Sequence, residues 1–228
     1  MKNLFIAFAF LFVSISVEAQ SQKIPLIEHF TNTKCSVCKN KNPKFYTLFA
    51  PYQSKIHHVS IHPSVPYVDC ALYQANIPDN GARQDYYQIF GTPVGYMNGM
   101  EASNGTNIFT QTELDQSLLE SSPIEMKVVE NTGINRSVSV EIKTTGNPPA
   151  GNYKLHLMAV ENELNYNSPN GETLHHDVLR KMIPDFNGTD ISLQSAGFNQ
   201  ILNFNYSIPA AWVESQMYVI AFVQNQDT

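Results

Sequence analysis

An α/β domain with a cysteine pair at the start of a helix, followed by an all-β sandwich, is the architecture this sequence predicts. Three observations predict it. Short apolar stretches alternate with helical spacing up to about residue 120, and two cysteines separated by two residues follow the first of those stretches. Beyond Ser121-Ser122-Pro123 the texture changes to strand-like runs divided by Gly, Asn and Pro.

Taken in order, Met1-Lys2-Asn3, an apolar run from Leu4 to Val13 and the small residue Ala19 form an export signal over residues 1–19, with cleavage expected after Ala19. The run is about half of the roughly twenty residues a spanning helix needs, so no membrane-spanning segment is expected in the mature chain.

Residues 23–30 (KIPLIEHF) suit a buried strand and residues 31–34 a polar turn. Phe45, Leu48 and Phe49 recur at helical spacing behind Cys38, which puts Cys35 and Cys38 at the N-terminus of a helix that Pro43 should kink or restart. Residues 55–62 (KIHHVSIH) read as a second strand stopped by Pro63, residues 64–80 as an insertion rich in Pro, Asp and Asn, and residues 81–90 as a short helix closed by Gly91. Thr92-Pro93 opens another strand, Asn98-Gly99 turns a hairpin, and Thr110 with Glu113 forms a capping box for a helix reaching about Leu119. Strand, helix, strand, helix, strand, hairpin, helix is the order of a thioredoxin-like domain, here residues 20–120, with strands buried on both faces. In that order Pro93 faces the cysteines. Its peptide bond is expected to be cis, exposing the Thr92 backbone for pairing with a substrate.

Over residues 121–228, strand-like runs at 124–130, 137–143, 153–161, 198–207 and 217–224 predict an antiparallel, Ig-like β-sandwich with Trp212, Tyr218 and Phe222 in its core. Residues 162–190 read as a long polar connection holding His175-His176-Asp177-Val178-Leu179-Arg180.

Composition bounds the function. Hydrophobic residues are 43% and charged residues 15%, which fits a β-rich exported protein able to bury a core. A formal net charge of −6 with no Lys/Arg cluster argues against nucleic acid and anionic membrane surfaces as partners. Cys35, Cys38 and Cys70 are an odd number of cysteines in an exported chain, a usage that is chemical rather than that of a stapled small domain.

A first cysteine at a helix start is a nucleophile by position: unsatisfied N–H groups and the positive end of the helix dipole favour its thiolate. Cys35 is therefore expected to face outward and attack, with the charge of Lys34 helping. Cys38, one turn inward, is expected to resolve the mixed disulfide. The pair needs no cofactor beyond its own redox-active disulfide, and its partners would be protein thiols and disulfides of the envelope. The same spacing also holds zinc or copper, and His62, at the end of the second strand, could join Cys35 and Cys38 in such a site. Alternation sends His57 and His58 to opposite faces.

The segment from Ile27 to Cys38 (IEHFTNTKCSVC), Arg83 to Tyr87, Gly91-Thr92-Pro93, Asn98-Gly99, the stretch from His176 to Arg180 and the ending Ala221-Phe222-Val223-Gln224 resemble the outer-membrane-protein-28-related family. The resemblance implies an exported protein of the periplasm, outer membrane or cell surface, with a thioredoxin-like domain, a β-sandwich and a thiol–disulfide role. Two positions depart from the family's pattern. Lys34 stands where similar proteins have Trp. His29 stands where an acidic residue is usual and where thioredoxins keep a buried carboxylate for proton transfer; it could relay protons or be an ordinary strand residue satisfied by the backbone. Three readings follow: a thiol–disulfide oxidoreductase, a non-catalytic envelope binding or adhesion protein using the fold as scaffold, and a Cys/His metallochaperone.

Overall fold

The computed structural model describes residues 20–103, 105 and 107–227; the expected export signal lies outside the described residues. The chain is mixed α/β. After a two-residue strand β1 (Ser21–Gln22) come β2 (Leu26–Phe30), helix α1 (Ser36–Phe49), β3 (His57–Ile61), the short helices α2 (Ala71–Gln74) and α3 (Ile77–Tyr86), the hairpin β4 (Val94–Met97) and β5 (Met100–Glu101), and helix α4 (Gln111–Ser117). The second half is nearly all strand: β6 (Ser121–Ser122), β7 (Ile124–Glu130), β8 (Asn135–Thr144), β9 (Tyr153–Asn165), β10 (Leu174–Ile183), β11 (Thr189–Ile191), β12 (Asn199–Ser207) and β13 (Met217–Asn225).

Local chemistry accounts for the helix boundaries. The Thr110 hydroxyl accepts the Glu113 N–H while the Glu113 carboxylate takes the Thr110 N–H, the reciprocal box expected for α4. Helix α3 begins at Ile77 rather than near Gly81, because Asn76 caps it through the Asp79 N–H and a proline sits in the first turn. Pro43 does not restart α1, which runs as one element past it.

One eight-stranded sheet organises the molecule, in the order β11-β9-β10-β3-β2-β4-β5, with β13 also paired to β9. Strand β2 is parallel to β3 and antiparallel to β4, and β10 lies parallel to β3. The expected sandwich over residues 121–228 therefore takes a different form. Four of its strands, β9, β10, β11 and β13, extend the sheet that carries the cysteines, and a separate three-stranded sheet, β12-β8-β7, packs on them through Val138, Val140, Ile142, Leu155, Leu157 and Ala159.

The expected polar connection over residues 162–190 is likewise corrected. Strand β9 runs on to Asn165 and β10 is a ten-residue strand antiparallel to it, so the two form a long hairpin. The polar residues of β10 are tolerated inside because distant partners meet them: Asp177 takes His58 and Tyr218, and Arg180 takes Glu161.

Three of the four core clusters among the described residues cover most of the large sheet. Leu26, Phe30, Val59, Ile61, Val94, Met158, Val160 and Leu179 share one face. Ile27, Phe45, Phe49, Ile108, Phe109 and Leu114 pack α1 and α4 on the other, and the third cluster joins the two sheets. Full burial of one such side chain stabilises by roughly 1.5–3 kcal/mol. Gly95 in β4 is needed where it stands, since an added Cβ would lie 2.4 Å from the Phe109 ring.

Candidate functional site

The site forms where the loop after β2 meets α1. Cys35 is the N-cap of α1, with extended backbone (φ −78, ψ 116), and its sulfur accepts the Cys38 N–H at 3.2 Å. The Thr92–Pro93 peptide is cis. Thr92 touches both sulfurs: its carbonyl accepts from Cys35 Sγ at 3.5 Å, and its Oγ1 from Cys38 Sγ at 3.3 Å. Cys35, Cys38, Thr92 and Pro93, separated by up to 58 positions, are thus one constellation. All three cysteines are free thiols, so the Cys35–Cys38 pair stands here as a dithiol.

The two thiols are unequal. The ordinary thiol value of 9.0 is held down to about 6 at Cys35. The largest cause is the hydrogen bond from the Cys38 thiol, opposed by burial and helped by the N–H groups of Cys38 and Val37 and by Thr92. Cys38 is pushed far up by burial and by the neighbouring Cys35, against a smaller pull from the Thr92 and Thr31 hydroxyls. Contrary to the outward-facing sulfur expected, Cys35 is recessed, with 4% of its surface exposed, while Val37 in the next turn is 50% exposed. Cys35 is covered because Thr92 closes over both sulfurs.

Of the supporting residues expected from the sequence, Lys34 points its ammonium to Asp69 at 2.6 Å, with the Tyr67 ring 5.9 Å away. His29 is fully buried against Phe45 and Tyr46, with Nδ1 at 3.5 Å from His58 Nε2 and its own Nε2 without a hydrogen-bond partner among the described residues. Burial first, then the neighbouring His58 and His62, hold its imidazole well below the ordinary histidine value, so His29 is neutral. His58 donates in turn to Asp177 at 2.7 Å. His62 is buried, with neither ring nitrogen hydrogen-bonded among the described residues, and faces His175 at 6.3 Å. Among the described residues no group of three His, Cys, Asp or Glu side chains is arranged to hold a metal ion. Cys70 is buried, with its sulfur 3.2 Å from the Thr33 hydroxyl. His57 is exposed and His58 buried, the opposite faces that alternation requires.

Four residues that the sequence reading missed hold the loop in place. Asn32, fully buried, donates to the carbonyls of Pro63, Val65 and Tyr67 and accepts the Lys34 N–H, tying the insertion to the cysteine loop. Asn42 on α1 bridges Thr31 and Glu172. Asn170, at the tip of the β9–β10 hairpin, bonds the carbonyls of Thr33 and Cys35, and Glu172 holds the Asn170 amide. Nothing in spacing marks these residues, since each partner is distant in sequence.

A parallel β2–β3 pair, an antiparallel β4–β5 hairpin, a helix entered through two cysteines and a facing cis-proline define a protein of thioredoxin-like class. The family model of the outer membrane protein Omp28 matches residues 80–228. The chain belongs to that family, and it is an exported protein associated with the cell envelope. No curated protein matches it. Among solved structures it is similar to HBP35 of Porphyromonas gingivalis, with a TM-score of 0.75 at 15% identity, covering 89% of this chain and 69% of that one. It is also similar to a structural-genomics target from Agrobacterium tumefaciens, with a TM-score of 0.51 at 16% identity, covering 82% and 80%. At such identities the likeness concerns the fold. Among the described residues no helix is long and apolar enough to cross a membrane.

Proposed function

We propose that this envelope protein exchanges disulfides with protein thiols through Cys35 and Cys38. The observation that carries the reading is the inequality of the two thiols: one is stabilised as thiolate at a helix start, the other is buried and protonated, and both lie on Thr92. In the reducing direction the Cys35 thiolate attacks a substrate disulfide, an S–S bond forms to Cys35, and one substrate thiolate leaves. Cys38 then gives up its proton and attacks Cys35 Sγ. The second substrate thiolate leaves, the Cys35–Cys38 disulfide forms, and two electrons have passed to the substrate. A dithiol reductant would restore the pair; run backwards, the same steps oxidise a substrate dithiol. Thr92 and the cis Pro93 would orient the substrate chain, and residues 20–120 would hold the chemistry while residues 121–228 supply one wall of the site.

The test is the pH profile of iodoacetamide labelling at Cys35, read by peptide mass spectrometry, together with trapping in Cys38→Ala. Half-maximal labelling near pH 6 and an accumulated mixed disulfide are expected. A profile centred on 9.0 with no trapped partner overturns the reading.

The 4% exposure of Cys35 favours a second reading, a non-catalytic envelope binding protein that uses the fold as scaffold. Under it, Cys35 labels at the rate of a buried thiol at every pH.

A further inference from the structure

The tip of the β9–β10 hairpin is the unexplained element next to the cysteines. It closes on itself: Tyr166 N–H to the Thr173 carbonyl at 3.0 Å, Ser168 N–H to the Glu172 carbonyl at 2.8 Å, Gly171 N–H to the Ser168 carbonyl at 2.8 Å, and Glu172 N–H to Asn170 Oδ1 at 3.0 Å. Gly171 has φ +92, a left-handed conformation that favours glycine, and an added Cβ there would lie 2.6 Å from the Lys39 ammonium. This tight tip presents Asn170 to the cysteine loop. The Asn170 N–H goes to the Thr33 carbonyl at 3.1 Å. Its side-chain amide goes to the Cys35 carbonyl at 3.1 Å and to Glu172 Oε2 at 2.6 Å, with a longer 3.5 Å contact to the Asn32 carbonyl.

The Cys35 carbonyl also accepts the first helical N–H of α1, from Lys39 at 3.3 Å. Its peptide plane is therefore held from two sides, by the helix and by a residue 135 positions away. That plane sets where the first-turn N–H groups stand relative to the sulfur, the Cys38 N–H at 3.2 Å above all. We propose that Asn170 is a positioning residue for the Cys35 thiolate, acting through the backbone of the cysteine loop, so that the C-terminal half of the chain is part of the thiol site. The Glu172 carboxylate orients the Asn170 amide and, through Asn42, joins it to α1.

This inference rests on the thiol–disulfide reading, and one experiment separates the two. Iodoacetamide labelling of Cys35 is followed against pH in the full reduced chain for wild type, Asn170→Ala, Asn170→Ser and Pro169→Ala, with thermal melting of each. Pro169 is exposed at the same tip and bonds nothing in the loop, so it reports general loosening of the hairpin. With wild type half-labelled near pH 6, Asn170→Ala is expected to lower the Cys35 ionisation constant about fivefold, the size of one lost hydrogen bond, and so the thiolate fraction at that pH about threefold, with Pro169→Ala unchanged. Asn170→Ser keeps a side-chain oxygen near the Glu172 N–H, adds no charge and is too short to reach the Cys35 carbonyl, so it carries the same expectation and serves if Asn170→Ala does not fold. An unchanged profile in the folded Asn170 variants, or an equal shift in Pro169→Ala, overturns the positioning role. An ordinary thiol profile in wild type overturns instead the exchange reading beneath it.

Discussion

The two faces of β2 treat adjacent ionisable residues in opposite ways. On one face Glu28, 3% exposed, receives Arg83 Nε at 2.8 Å, Arg83 Nη2 at 2.7 Å and the Tyr87 hydroxyl at 2.6 Å, and the guanidinium lies over the rings of Tyr86, Tyr87 and Phe222. On the other face His29, fully buried, has one nitrogen near His58 and one with no hydrogen-bond partner among the described residues. A charge survives inside only with a complete set of partners; where the set is incomplete the group sheds its charge. The thiol site lies on the histidine face, over α1.

Removing one partner from the charged face should have the largest effect. Arg83→Met leaves the Glu28 carboxylate buried and unpaired and is expected to destabilise by about 3–5 kcal/mol, measured by denaturant unfolding at neutral pH. Adding Glu28→Gln should recover part of that loss. A single-variant loss below about 1 kcal/mol would mean that water reaches Glu28 and that the two faces do not differ as described.

Acid should act next, on the buried neutral imidazoles of both faces. The imidazoles of His29 and His62 sit well below the ordinary value of 6.5, and that of His156, stacked on Phe222, is held down to about 4 by burial and then by Arg83 and Lys154. Below pH 6.5 the unfolded chain binds protons that the folded chain refuses, so stability is full above that pH and falls as pH drops towards each folded value. For His156 the window runs from 6.5 to about 4, a loss of up to about 3 kcal/mol at its lower end. Unfolding free energies at pH 7, 5.5 and 4.5 should show the decline, and His156→Phe should flatten it. A stability that rises on acidification would contradict the neutral assignment.

How far this arrangement is legible in the sequence depends on how local its causes are. Cys35 and Cys38 at a helix start, the proline-led strand at Thr92, the Asn98-Gly99 turn and the Thr110–Glu113 box are set by neighbouring residues, and each stands in the structure. Strand β10 was misread because His175, His176, Asp177, Arg180 and Lys181 look like a solvated loop. The side chains of His175, Asp177 and Arg180 are met by Ser168, His58, Tyr218 and Glu161, while Lys181 faces solvent. Asn32, Asn42 and Asn170 escaped for a related reason: asparagine is ordinary in turns, and what distinguishes these three is their partners across the fold. The merging of the C-terminal strands into the first sheet follows from one long-range pairing, Val178 with Ser60, which no periodicity announces.

The smallest effect sharpens the comparison from outside. Lys34 precedes the nucleophile and was expected to favour its thiolate by charge, yet its ammonium is matched to Asp69, a carboxylate whose side chain is 68% exposed. A solvent-screened pair presents little net charge to a sulfur one residue away, in contrast with the enclosed Glu28–Arg83 pair. Lys34→Ala should therefore move the midpoint of Cys35 labelling by less than about half a pH unit in physiological salt. Asp69→Asn, which unmasks the ammonium, should move it slightly downward. A drop in thiolate at Lys34→Ala as large as that expected for Asn170→Ala would show that charge, rather than the backbone geometry held by the hairpin, governs the nucleophile.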